Sequence, residues 1–171
     1  KLGGEDFDWL LNHEFGHEWW GNKVTNSDWA HMWIQEGICS YGDALYYRDM
    51  EGEASYQARM REIARSQNSN IPVVRGEEVD SDSAYQGPIY GKGAFFMHTL
   101  RYVIGDAVFF PTLKKLATDP QYTYDQVVQT SDVEKLFSNA SGKNLKPLFD
   151  FYLKKKKKLE IRVKQTADDK Y

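Results

Sequence analysis

The 171-residue chain has little of several things, and each scarcity narrows what it can be. There is one cysteine, Cys39, so no internal disulfide can form and cysteine usage does not indicate a redox compartment. Beside Ile38 and Tyr41 it reads as a small buried hydrophobe. There are only five prolines, too few for a proline-rich tract. No apolar run is long enough for a membrane span, and the N-terminus lacks the layout of a signal peptide. Compartment is not legible. There is almost no charge imbalance: 22 basic against 25 acidic residues give a net charge of −3. No basic field draws the whole molecule toward nucleic acid. What is present is apolar and aromatic content, at 41% and 15%. That is enough to bury a core at single-domain length.

Periodicity and punctuation predict a mainly α-helical chain. A first helix is expected over Phe7–Trp20, with Glu5, Asp6 and Asp8 at its positive pole and Gly21 as its stop. A second runs from Met32 to Met50 and ends at Gly52. A third spans Ala54–Gln67. Residues 68–88 read as a long loop with an extended stretch at Ile71, Val73 and Val74, and a loop of that length is often functional. Helices follow over Lys92–Ile104 and Ala107–Ala117, with a short one at Tyr124–Gln129. Ser131 and Glu134 suggest a capping box for a helix to Ser138, and Asn144 a cap for a last helix to Leu153. Leu159, Ile161 and Val163 alternate with charged residues, which predicts a C-terminal β-strand. Residues 1–153 thus read as one unit, and 154–171 as a lysine-rich linker leading into a β-segment. Lys154–Lys158 reads as a solvated lead-in, with contact to an anionic partner as the other reading.

The chemistry is concentrated in His13-Glu14-Phe15-Gly16-His17. His13 and His17 stand at i and i+4, so on a helix both imidazoles lie on one face and can grip one ion. Glu14 is rotated by about 100° from His13. It is badly placed as a ligand of the same ion and well placed to reach a water there. Hydrolytic zinc sites take three protein ligands. Glu36 is the candidate third, on the second helix, returned over the first by the segment Gly21–Ala30. Two histidines and a glutamate suit zinc with an open position. Asp43, two helical turns after Glu36, could accept a proton from a ligand histidine and fix its tautomer. It reads equally as a solvent-facing carboxylate. His31 and His98 read as structural. Trp19, Trp20, Trp29 and Trp33 read as packing under the site.

The stretch from His13 to Thr25, with Trp29, Trp33 and Glu36-Gly37, closely resembles the zinc aminopeptidases of peptidase family M1. Gln35 departs mildly, since many members have Asn there. The resemblance extends over about Leu10–Leu153. It implies the helical part of a thermolysin-like (gluzincin) catalytic domain, one Zn2+ per chain and peptide substrates. It also implies a role for Tyr90 in Tyr90-Gly91-Lys92-Gly93, as hydrogen-bond donor to the oxyanion of a tetrahedral intermediate. Spacing alone would read Tyr90 as an aromatic anchor before a helix. Asp82 and Tyr85 match positions near the family's substrate pocket. Members carry a Gly-x-Met-Glu-Asn pattern upstream of the zinc helix, and no such pattern precedes His13 here. The expectation is a catalytic-domain piece of a longer enzyme, weakly active or inactive by itself, with further domains on either side. A related zinc hydrolase that opens epoxides, and a non-catalytic helical interaction module, remain as alternatives. Oligomeric state and residue preference are not legible.

Overall fold

The computed structural model describes residues 9–66, 71–76 and 79–156. Within them the chain is helical, with one small parallel pairing of strands. Helix α1 (Trp9–Gly16) is followed by β1 (Thr25–Asn26) and a single 3-10 turn at Trp29–His31. Then come α2 (Trp33–Glu51), α3 (Glu53–Ser66), α4 (Ser81–Ala84), α5 (Gly87–Ile104) and α6 (Asp106–Thr118). Strand β2 (Val127–Val128), α7 (Thr130–Ser141), α8 (Lys146–Phe149) and a wide π turn at Asp150–Lys154 complete the order.

Helix α2 is the centre of the fold. Trp33, Ile34, Ile38, Tyr41 and Ala44 are all buried on it, together with Glu36 and Asp43. It is wrapped rather than amphipathic, as a core helix should be. Helix α5 packs along it more extensively than any other described element, and α3 covers it with Tyr56, Met60 and Ile63. Those three stand at i, i+4 and i+7, one helical stripe. Trp33, Phe96 and Phe149 close the base in edge-on contacts, with ring centroids 4.7–6.4 Å apart. Each is fully buried and contributes roughly 2–3 kcal/mol by burial. Gly52 and Gly105 end α2 and α5 at φ of 93° and 79°, a region in which glycine carries no side-chain penalty.

Several boundaries differ from the sequence reading. Helix α1 stops at Gly16, and a turn carries the chain through His17 to Trp20. Helix α5 begins at Gly87, five residues before the expected start, because Pro88 occupies its first turn. Proline there lacks only a hydrogen bond the helix could not have made. The expected loop also contains α4, capped by Asp80 Oδ1 accepting from the Ser83 amide at 2.8 Å. No helix forms at Tyr124–Gln129. Tyr124 takes φ 59°, its amide donates to Lys23 O at 2.8 Å, and Val127–Val128 pair with Thr25–Asn26. The capping box of α7 uses Gln129 and Asp132 instead of Ser131 and Glu134. Trp33 is buried and Trp20 packs against the core, but Trp19 and Trp29 are exposed. The expected strand at 159–163 lies outside the described residues. No helix among the described residues is long and apolar enough to cross a membrane.

Candidate metal centre

His13 lies on α1, His17 in the turn just after it, and Glu36 in the first turn of α2. Their inward atoms converge. Glu36 Oε2 is 3.1 Å from His13 Nε2 and 3.4 Å from His17 Nε2. One potential ligand atom from each residue lies within 4.8 Å of the others. His13 and Glu36 are buried and His17 is half-buried.

The outward ring atoms decide what the inward ones can do. Trp20 O, which can only accept, is 2.9 Å from His17 Nδ1. Asp43 Oδ2 is 3.3 Å from His13 Nδ1, and Asp43 is held in turn by Asn12 Nδ2 donating to Oδ1 at 2.7 Å. Both Nδ1 atoms therefore carry protons, and in the neutral rings both Nε2 atoms present lone pairs. Two lone pairs then face a carboxylate oxygen. Such a set is satisfied by a cation at its focus, and its nitrogen and oxygen donors suit a divalent metal with an open coordination position.

Without a metal, protons must supply that positive charge. Burial pulls the His13 pKa down, but Asp43 and Glu36 outweigh it and lift it to about 9. His17 rises to about 10 through Cys39 and Glu36, against the pull of burial. Burial raises the Cys39 thiol itself, so it stays protonated at neutral pH and Glu36 is the charged neighbour. Burial pushes Glu36 up, and the two imidazoles reverse this to about 2. The histidine pKa values exceed the ordinary 6.5. Their stabilisation of the metal-free fold is therefore complete below about pH 6.5 and lost as pH rises through about 9, the value to which Asp43 and Glu36 lift His13. The Glu36 contribution has the opposite sense, present above about 4.5 and lost on falling through about 2. Chelator-treated protein is expected to melt at progressively lower temperature from pH 6.5 to 10. A flat profile over that range would contradict the shared charge.

A cavity of about 900 Å³ opens beside the three residues, with Glu14, Gln35, Tyr85 and Tyr90 in its wall. Glu14 is exposed to it and does not join the converging atoms. Tyr90 sits in the first turn of α5, its ring centroid 6.1 Å from that of His13. Burial, then the charges of Glu36, Tyr85 and Glu14, push its pKa up to about 12. It is a phenol at any ordinary pH and can donate. Tyr85 follows α4 and lines the cavity, 5.7 Å from the Trp29 ring. Asp82 does not line it: it is exposed on α4, where its carbonyl accepts from Gln86 Nε2. His31 and His98 lie elsewhere, against Thr130 Oγ1 and the Tyr56 hydroxyl.

Sequence reasoning missed Asn12, the Trp20 carbonyl and the approach of Cys39 Sγ to 3.4 Å from His17 Nδ1. For Cys39 a signal existed. It lies three residues after Glu36, hence on the same helical face.

Comparison with known proteins agrees with this architecture. Residues 5–152 match the peptidase family M1 domain. Leucine aminopeptidase 2 of Eremothecium gossypii is 28% identical over 88% of this chain and 24% of its own length. Aminopeptidase B of Rattus norvegicus is 30% identical over 64% of this chain and 19% of its own. Among solved structures, an M1 zinc metallopeptidase from Deinococcus radiodurans superposes with a TM-score of 0.74 at 24% identity. That likeness covers 86% of this chain and 32% of the other. Native yeast LTA4 hydrolase gives 0.73 at 20% identity, covering 92% and 27%. The chain thus spans about a quarter of the length of the curated relatives it matches, or less, and it belongs to peptidase family M1.

Proposed function

We propose that this chain carries the zinc-binding catalytic core of an aminopeptidase, which hydrolyses the N-terminal bond of peptides. The observation that carries the reading is the convergence of His13 Nε2, His17 Nε2 and Glu36 Oε2 beside a cavity walled by a carboxylate and a phenol. The names of the curated relatives, leucine aminopeptidase and aminopeptidase B, support the substrate class.

His13, His17 and Glu36 would hold zinc, with Asp43 fixing the His13 tautomer from behind. Zinc bound there supplies a Lewis acid and lowers the pKa of water toward ~7. Glu14 takes a proton from the attacking water and passes it to the leaving amine. The Tyr90 hydroxyl donates to the carbonyl oxygen as negative charge develops on it. Tyr85, which lines the cavity, borders the substrate, while Asp82 lies outside the cavity wall.

Two measurements test this. Elemental analysis of zinc-supplied protein is expected to find one zinc per chain, lost in a His13→Ala, His17→Ala double variant. Aminoacyl reporter substrates are expected to be hydrolysed by the zinc-loaded enzyme at its relatives' length and not by that variant. Negligible metal in folded protein, or equal metal in the double variant, would overturn the ligand assignment. Turnover of epoxides in place of peptides would overturn the substrate class.

A further inference from the structure

Helices α2 and α5 meet at two glycines. A Cβ placed on Gly37 would lie 2.9 Å from Gly93 Cα, 2.9 Å from Ile89 O and 3.1 Å from Gly93 C. A Cβ on Gly93 would lie 2.9 Å from Gly37 Cα. The atoms met at these distances are backbone, which cannot rotate aside. Glycine inside a helix is destabilising relative to alanine, so two that face each other need a reason. Gly37 directly follows Glu36. Gly93 is one turn beyond Tyr90 on the same face of α5, and Ile89 directly precedes Tyr90. Between them Lys92 is buried, and its Nζ donates to Lys155 O at 2.6 Å, bracing the first turns of α5 against the end of the π turn.

We infer that the Gly37–Gly93 contact, braced by Lys92, is a positioning device that sets the reach between Glu36 and the Tyr90 hydroxyl. The inference rests on the roles proposed above for those two residues. A methyl at either glycine must drive the helices apart by about 0.5–1 Å to restore ordinary contact, and misplacement on that scale costs on the order of 100-fold in rate. Gly42, also on α2, has no atom within 4 Å of an added Cβ and serves as the control.

The test uses the zinc-loaded enzyme and reads zinc content, melting temperature, kcat, KM and affinity for a tetrahedral phosphinate analogue. Gly37→Ala and Gly93→Ala are expected to keep zinc, lose kcat about 100-fold with KM within about threefold, and lose analogue affinity in parallel with kcat. Gly42→Ala is expected to match the parent. In a Tyr90→Phe background the glycine effect is expected to shrink below about threefold, because no hydroxyl remains to be misplaced. Unchanged kcat in the glycine variants, or a full loss that persists in the Tyr90→Phe background, overturns the inference. If the glycine variants do not fold, Lys92→Met decides it. A kcat loss of about tenfold that vanishes with Tyr90→Phe is expected, and unchanged kcat overturns it. A normal kcat in Tyr90→Phe itself removes the role of Tyr90 and the inference with it. A defective Tyr90→Phe beside normal glycine variants removes the inference alone.

Discussion

Replacing Glu14 with Gln is expected to leave one zinc per chain and lower kcat roughly 10²–10⁴-fold. The expectation follows from geometry. Glu14 is the residue after His13, yet its side chain faces the open cavity and takes no part in the converging cluster. An amide of the same shape keeps the packing and removes the capacity to take a proton. KM is expected to stay near the parent value, since Glu14 acts mainly as charge moves in the transition state. Elemental analysis and steady-state kinetics on the same preparation check both halves. A kcat within threefold of the parent would remove the base. Loss of zinc would make Glu14 a ligand instead.

Tyr90→Phe is expected to cost on the order of 10²–10³ in kcat, the range for loss of a single oxyanion donor. The ring stays in its place against His13, so only the hydroxyl is tested. A donor that keeps its proton through the reaction adds a second expectation: neither the general base nor the general acid is removed. The pH limits of kcat should therefore be those of the parent while its height falls. Near-parental kcat, or a shifted alkaline limit, would count against the donor role.

The helical framework was largely legible because it rests on local chemistry. Gly52 and Gly105 end helices as glycine stops do, and the i, i+4 spacing of His13 and His17 brings both to one side although His17 lies in the turn just after α1. Glu36 was legible only through the antiparallel return of α2. What escaped depends on partners far away in sequence. Tyr124–Gln129 has a plausible local helical reading, but its backbone is claimed by Lys23 and by β1. Asp43 was ambiguous because nothing local says which face of α2 is covered. Asn12 and His13 from α1 settle it. The apposition of Gly37 and Gly93 is invisible in one dimension, since each glycine alone looks like a weak point in a helix.

The site's supports also arrive in a particular order. All three converging residues lie between positions 13 and 36. Yet Trp33 and His31, which anchor the start of α2, reach across 97 and 99 positions to Thr130, and β1 waits for Val127–Val128. At translation rates of about 5–20 residues per second, that interval is roughly 5–20 s on the ribosome. By its end α3 and α5 are available to pack on α2, but the start of α2 still lacks its anchor at Thr130. Metal captured then would be held by a floppy chelate, open to exchange. The contacts that fix the start of α2 close only when Thr130 arrives.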